Sequence, residues 1–371
     1  MDKRKTNFDL LRIFAMFGII VFHHFGNQML NGLVELTEGF TADNYFYDFV
    51  NNANLPSGYV SKLSLVMDFC YGHFGNGGNM IFMLITGYFL FDREITFPKR
   101  VRTVARILYA ILFHGAVITI FYFLLVFHLP GFQLIFTLPN WLSGDNLWYL
   151  QSYGCFILVV LPLLKLFEDR LTQKTHLCAA LSLSALFFLA YYTYFPNLWI
   201  GRALLQFTTC YYIGGYVKKY GVRIKPKNMV IFSLSYLLLY FTYEYFWRLS
   251  CAALYAPSQY SYISVMQPFV CCLIYAMICF LAVNQMNVPE ALSNIASSIS
   301  SKTIGIYIFH YNVINASFFI ANHFGWHNWS RRGYFLFVIV DSIVLFAAGY
   351  CIDVVRQWSY QRIEQKLLKD L

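Results

Sequence analysis

Apolar runs of about 20 residues recur along the whole of this 371-residue chain. Coiled into a helix, a run of that length crosses a hydrocarbon core of roughly 30 Å. Charged residues make up only 12% of the chain, whereas a soluble domain averages about a quarter. The sequence therefore predicts an all-α, polytopic integral membrane protein with ten transmembrane helices. The predicted spans are residues 9–29, 73–92, 104–127, 146–167, 177–194, 200–217, 229–248, 265–284, 303–322 and 333–355.

The basic residues predict how these spans are oriented. With Met1 inside, the predicted inner segments contain 21 Lys and Arg residues and the outer segments contain four. An excess of Lys and Arg in cytoplasmic loops is the positive-inside pattern, so both termini are predicted to be cytoplasmic. The net charge of +9 is then explained by topology and by attraction to anionic membrane lipid, and we expect no nucleic-acid partner.

No segment has the length and composition of an appended soluble enzyme. We predict a single transmembrane domain over residues 1–355 and a short cytoplasmic amphipathic tail over 356–371. The outer segment 30–72 is too short for a catalytic domain, although it could form a lid or part of a binding surface. The nine cysteines are scattered without ligand-like spacing, so we expect no metal site. Any chemistry should therefore take place within the bundle.

The first predicted span contains ionisable residues that hydrocarbon disfavours. Arg12 and His23 are 11 residues apart, which places them on one helix face about 16 Å from each other. His24 is rotated from that face by about 100°. Arg12 either extends to the inner headgroups or binds a ligand, and Asp9 is expected simply to pair with it. His23 lies too deep to reach water and is the stronger functional candidate.

Several motifs resemble, in the expected order, those of the membrane-bound acyltransferase type 3 family. The first is Arg12-x10-His23 after the FDLLR start. The others are GHFGNGGNMIFMLITGYFL at 72–90, KRVRTVARI at 99–107, NLWYLQSYG at 146–154 and SKTIGIYIFH at 301–310. Thr86, in the Thr-Gly-aromatic step of the second motif, stands where the family commonly has serine. The resemblance covers nearly the whole chain.

This resemblance implies an activity and its substrates. The family transfers acyl groups, usually acetyl, from cytoplasmic acyl-CoA to hydroxyls of extracytoplasmic sugars. We therefore expect a plasma-membrane O-acyltransferase with acyl-CoA as co-substrate and no tightly bound cofactor. Its expected acceptor is a polysaccharide or lipid-linked glycan, such as capsule or exopolysaccharide. A transporter or flippase is the alternative, but only one glycine-rich interruption, Gly72 to Gly78, is present, without a counterpart in the other half.

The chemistry of acyl transfer suits the residues of the first span. His23 is expected to act as general base or as nucleophile, because imidazole is the usual proton acceptor near neutral pH. A planar guanidinium such as Arg12 can bind a phosphate or carbonyl of the donor. His310, at similar depth on the ninth span, is either a second proton carrier or a buried, hydrogen-bonded histidine.

The remaining candidates are weaker. Donor contacts are expected from Arg100, Arg102, Arg106, Thr86 and Gly87, and acceptor contacts from Trp148 and Tyr307. The three arginines are equally well explained as positive-inside charge, and Trp148 as part of an interfacial aromatic belt. His114 is expected to be a packed core histidine. Asp341 should face the bundle, where it could orient a histidine.

Overall fold

The computed structural model describes residues 6–30, 62–128, 144–192, 199–254, 268–286, 288–323 and 331–367. Within those ranges the chain forms helices and connecting turns without any β-strand, which confirms the predicted all-α class. The helices are α1 (Thr6–Leu30), α2 (Lys62–Leu90), α3 (Phe97–His128), α4 (Gly144–Cys155), α5 (Leu161–Glu168), α6 (Gln173–Tyr192), α7 (Trp199–Tyr220), α8 (Pro226–Leu254), α9 (Pro268–Asn284), α10 (Ser293–Ser300), α11 (Thr303–His323) and α12 (Arg331–Leu367).

Four helical segments in the described part of the chain are long and apolar enough to cross a membrane. They are Thr6–His24, Phe97–Leu125, Leu147–Glu168 and Leu336–Arg362. Cys271–Asn284 and Thr303–Ile314 are apolar but shorter. α2 carries His73, Asn76 and Asn79 among its apolar residues. Ten spans and cytoplasmic termini therefore remain predictions.

The predicted span 146–167 is not a uniform α-helix. α4 continues into a π-helical turn, Phe156–Val160, which leads directly into α5. Pro162 lies at the start of α5. A proline has no N–H to donate, and its ring crowds the carbonyl four residues back. The wider π turn accommodates the proline. Pro162 was therefore the one feature of the sequence that indicated a departure from α-helical geometry in this span.

Two features of the inner segments were not predicted. A short helix, α10, occupies part of the predicted connection before the ninth span, with Ala296 and Ser300 buried. α12 continues without interruption past residue 355, so the first part of the predicted tail extends the last helix. There the Tyr109 hydroxyl lies 2.8 Å from the Ser359 hydroxyl, which ties the tail to α3. The domain boundary at 355 remains a prediction, and residues 31–61 of the predicted outer segment lie outside the described ranges.

α1 lies at the centre of the packing, against α2, α9, α10, α11 and α12. Small residues let α2 approach it closely: a β-carbon at Gly78 would lie 2.7 Å from the Ile19 side chain. On the opposite side of α2, a β-carbon at Gly87 would lie 2.6 Å from the Tyr211 carbonyl oxygen of α7. Close approach through small residues is typical of helix packing in membranes, and here it fixes the register of α1 against α2.

Candidate active site

His23 of α1 and His310 of α11 form a direct hydrogen bond. The Nδ1 atom of His23 lies 3.0 Å from the Nε2 atom of His310, although the residues are 287 positions apart. His310 is fully buried, whereas His23 is only partly buried. The structure therefore brings together the two histidines that the sequence placed at similar depth, and it leaves the one on α1 more accessible.

The second hydrogen bond of His310 determines which atoms of this pair donate. His310 Nδ1 lies 3.0 Å from the carbonyl oxygen of Ile306, which can only accept, so this nitrogen carries a hydrogen. A neutral His310 then presents an unprotonated Nε2 to His23, and His23 Nδ1 is the donor. Since a neutral imidazole carries one hydrogen, the lone pair of His23 Nε2 remains available as a base.

His24 has different partners from its neighbour. Its Nε2 lies 2.7 Å from Oδ2 of Asp341 on α12, and its Nδ1 lies 3.0 Å from the Ile20 carbonyl oxygen. The side chain is completely buried. Asp341 thus faces the bundle and orients a histidine, as expected, but that histidine is His24. His24 therefore forms a buried hydrogen bond between α1 and α12.

A cavity of about 500 Å³ opens near the end of the bundle where α1 begins, which we call the inner end. Along α1 its wall is formed by Arg12, Met16 and Ile19, which follow the same helix face as His23. Ile19 and Tyr307 lie one turn before His23 and His310 respectively, so the cavity ends just short of the histidine pair. The other lining residues are Asn79, Phe82, Thr86, Phe89, Arg93, Tyr149, Leu150, Tyr153, Ser300, Ser301, Thr303 and Ile304.

The inner end of this cavity carries two arginine side chains, one of which is paired with a carboxylate. Arg12 and Arg93 contribute two guanidinium groups, and no carboxylate is among the described lining residues. Arg12 also lies 3.0 Å from Oδ1 of Asp9, as predicted, and its guanidinium carbon lies 5.7 Å from the centre of the Phe89 ring. Asp9 accepts a second hydrogen bond of 2.5 Å from Ser300. The carboxylate therefore links Arg12 to the α10–α11 turn at the cavity mouth.

Aromatic hydroxyls lie deeper in the wall. The rings of Tyr149 and Tyr153, one turn apart on α4, are nearly parallel, with centroids 6.4 Å apart. Tyr307 approaches both Tyr149 and His310, with centroid distances of 5.8 and 5.7 Å. The Tyr153 hydroxyl also interacts with Thr86. Tyr307 thus lines the cavity and lies beside His310, and its expected contact with the acceptor remains a prediction.

Other predicted site residues lie outside this cavity. Gly87 faces α7, where its lack of a side chain permits helix contact, and it does not line the wall. Arg100, Arg102 and Arg106 lie beyond the wall on α3, and Arg106 lies 5.8 Å from the Tyr360 ring centre. Trp148 packs beside Tyr149. Whether these residues contact substrate remains a prediction.

The sequence reasoning missed three kinds of cavity residue: Asn79 on α2, the tyrosine pair of α4, and the Ser300–Thr303 turn. Asn79 was visible in the glycine-rich motif, but nothing in its spacing distinguished it from Asn76. The serine-rich turn was visible as well, but its neighbours in space, Asp9 and Arg12, are almost 300 positions away. Local spacing does not report such contacts.

A second buried histidine–carboxylate pair lies apart from the cavity. Nε2 of His114 lies 3.1 Å from Oδ1 of Asp353, and Arg356 binds the same carboxylate. Both His114 and Asp353 are fully buried. His114 is therefore a packed core histidine, as predicted, and it joins α3 to α12.

The comparison with protein families gives a match that covers nearly the whole chain. The acyltransferase 3 family model, described as an acyltransferase domain, matches residues 5–351, which is nearly the whole chain. No curated protein and no solved structure gives a significant match. The matched region includes α1 with Arg12 and His23 and α11 with His310. The chain therefore belongs to the acyltransferase 3 family of membrane acyltransferases.

Proposed function

We propose that this protein is a plasma-membrane O-acyltransferase. It transfers an acyl group, acetyl in the simplest case, from cytoplasmic acyl-CoA to a hydroxyl of an extracytoplasmic or lipid-linked polysaccharide. Capsule, exopolysaccharide and other envelope glycans are the acceptor classes that the family implies. The observation that carries this proposal is the hydrogen-bonded pair of His23 and His310, which lies about one helical turn beyond the end of an arginine-containing cavity.

The histidine pair supports a direct transfer. The acceptor hydroxyl oxygen attacks the thioester carbonyl carbon while His23 Nε2 removes the hydroxyl proton. The resulting tetrahedral intermediate collapses, the carbon–sulfur bond breaks, and the proton passes from His23 to the leaving thiolate. The products are an ester and a free thiol. During this step the protonated His23 donates through Nδ1 to His310, which holds its ring in position.

The charges of the cavity suit an anionic donor that enters from the inner end. Arg12 and Arg93 can bind phosphate or carbonyl oxygens, and guanidinium groups do so through paired hydrogen bonds. A cavity of about 500 Å³ lies within the usual size range of small-molecule sites, roughly 300 to 1,000 Å³. It can hold the thiol arm of acyl-CoA. The nucleotide would then extend outside, toward Arg100, Arg102 and Arg106.

The acceptor is proposed to approach His23 from the opposite side. His23 is only partly buried, whereas His310 is fully buried, which supports an approach of the acceptor to His23. Trp148, near the start of α4, is partly buried and offers an aromatic face on which a sugar ring could stack. This arrangement lets donor and acceptor reach the same histidine from opposite sides.

A paired assay tests the proposal. The purified protein in lipid nanodiscs is given acetyl-CoA with and without a polysaccharide acceptor. Free thiol and acceptor mass are then measured for the wild type and for His23→Ala. We expect acceptor-dependent thiol release and a gain of one acyl unit on the glycan, both lost in the variant. Movement of the glycan across a membrane without any thiol release would instead identify a flippase and overturn the proposal.

A further inference from the structure

We infer that Asn79 recognises the amide of the donor arm nearest the thioester sulfur. This inference rests on the proposed acyl-CoA donor and assigns a function to a residue that the catalytic step does not use. Asn79 lines the cavity and is only 6% exposed. Its Oδ1 atom has no hydrogen-bond partner among the described residues.

An unpaired oxygen in such a place is unusual. Most buried side-chain polar atoms have a partner, because a buried acceptor without one loses the hydrogen bonds that water would supply. Two other polar residues of the wall have partners: the Thr86 hydroxyl donates to the Phe82 carbonyl, and Ser300 donates to Asp9. The Asn79 oxygen is therefore an unpaired acceptor on a residue that lines the cavity.

The depth of Asn79 indicates which part of the donor it meets. Gly78, the preceding residue, packs against Ile19, so Asn79 lies nearly level with Ile19. Ile19 precedes His23 by four residues, or about 6 Å along the helix axis. The thioester must lie beside His23 for transfer to occur. Asn79 is consequently about one turn below the reacting carbon, toward the inner end.

Acyl-CoA has a hydrogen-bonding group about one helical turn from its reacting carbon. In a coenzyme A thioester, two methylene carbons separate the sulfur from an amide N–H, a distance of about 4 Å from standard bond lengths. That N–H can donate a hydrogen bond to the unpaired Oδ1 atom of Asn79. An acyl carbonyl or a phosphate would offer only acceptors. The geometry thus favours the amide N–H over the acyl group or the nucleotide as the partner of Asn79.

A donor analogue isolates this hydrogen bond. Acetyl-CoA is compared with an analogue in which an ester oxygen replaces that amide N–H, while the thioester stays the same. We expect wild-type kcat/KM to be about tenfold higher for acetyl-CoA, because the analogue leaves the buried oxygen unpaired. Asn79→Leu should reduce this preference to nearly one, and Asn79→Asp, which keeps an acceptor, should retain it.

Asn312→Leu is the matched control. Asn312 is also a buried asparagine whose Oδ1 has no partner in the described part of the chain, but it does not line the cavity. Its replacement should leave the preference at the wild-type value. Equal use of both donors by the wild type, or an undiminished preference in Asn79→Leu, would overturn the inference alone. Absence of His23-dependent thiol release from either donor would overturn the proposed function and the inference together.

Discussion

The Nε2 atom of His24 and the Oδ2 atom of Asp341 lie 2.7 Å apart, which commits His24 to a structural contact between α1 and α12. The adjacent His23 points elsewhere and bonds to His310. Consecutive residues of a helix differ by about 100° in direction, and this rotation is sufficient to give the two histidines different environments. Because they differ little in depth, each serves as a control for the other.

Replacing the two histidines separately should give very different results. We expect His23→Ala to lower kcat by about 10² to 10⁴, the usual contribution of a general base. His24→Gln, which can still donate to Asp341, should retain most activity. Initial rates of acceptor-dependent thiol release measure both variants, after size-exclusion chromatography has shown that each is folded. Equal losses in two well-folded proteins would contradict the assignment of His23 as the base.

His310 accepts a hydrogen bond from His23, and this function can be tested separately from its packing. His310→Leu removes the nitrogen that holds His23 Nδ1, and we expect kcat to fall by about 10- to 100-fold. His310→Gln offers a carbonyl oxygen in its place and should recover part of the rate. The KM for acyl-CoA should change little in either variant. If Leu and Gln variants of equal thermal stability are equally active, His310 has no orienting function.

Arg12 should act on the donor through the shape of its guanidinium group. Arg12→Lys keeps the positive charge but loses the planar, paired donors, so kcat/KM for acyl-CoA should fall by at least about tenfold. Arg202→Lys, at a position outside the described cavity wall, is the control and should have little effect. Steady-state kinetics with varied donor and fixed acceptor measure the change. If Arg12→Lys lowers only kcat/KM for the acceptor, a contact between Arg12 and acyl-CoA is contradicted.

The arginines at the inner end should contribute in a graded manner. Arg93 lies in the cavity wall, whereas Arg102 and Arg106 lie beyond it. We expect Arg93→Gln to raise the KM for acyl-CoA more than the Arg102→Gln, Arg106→Gln double variant does, because the nearer charge binds the donor more directly. Since these residues also influence topology, correct insertion must be verified by protease protection first. If the double variant has unchanged kcat and KM for acyl-CoA, Arg102 and Arg106 do not bind the donor and serve only to orient the protein in the membrane.

The orientation of the bundle is open to a labelling test. On a cysteine-free background that still folds, a cysteine at Asn140 should react with an impermeant thiol reagent added outside intact cells. A cysteine at Lys225 should react only after the membrane has been opened. This expectation follows from the distribution of 21 inner and four outer basic residues. The reverse pattern would exchange the proposed donor and acceptor sides.

Sequence reasoning identified the catalytic candidate but not its surroundings. The 11-residue spacing from Arg12 was enough to choose His23 over His24, because helix geometry is local and regular. It also placed Arg12 and Thr86 among the donor residues, and both line the cavity. Gly87 packs closely against α7 and does not line the described cavity wall, so its expected donor contact remains a prediction.

The sequence by itself determined the all-helical class, the family and the helix face that Arg12 and His23 share on α1. Each of these depends on apolar length, on ordered motifs or on spacing within one segment. Tertiary structure decided which side chains meet: His23 with His310, His24 with Asp341, and Asp9 with Ser300. These partners are 287 to 317 positions apart, and their contacts depend on how α1 packs among its neighbours. Spacing along one helix specifies the direction of a side chain, whereas the partner it reaches depends on the packing of the whole bundle.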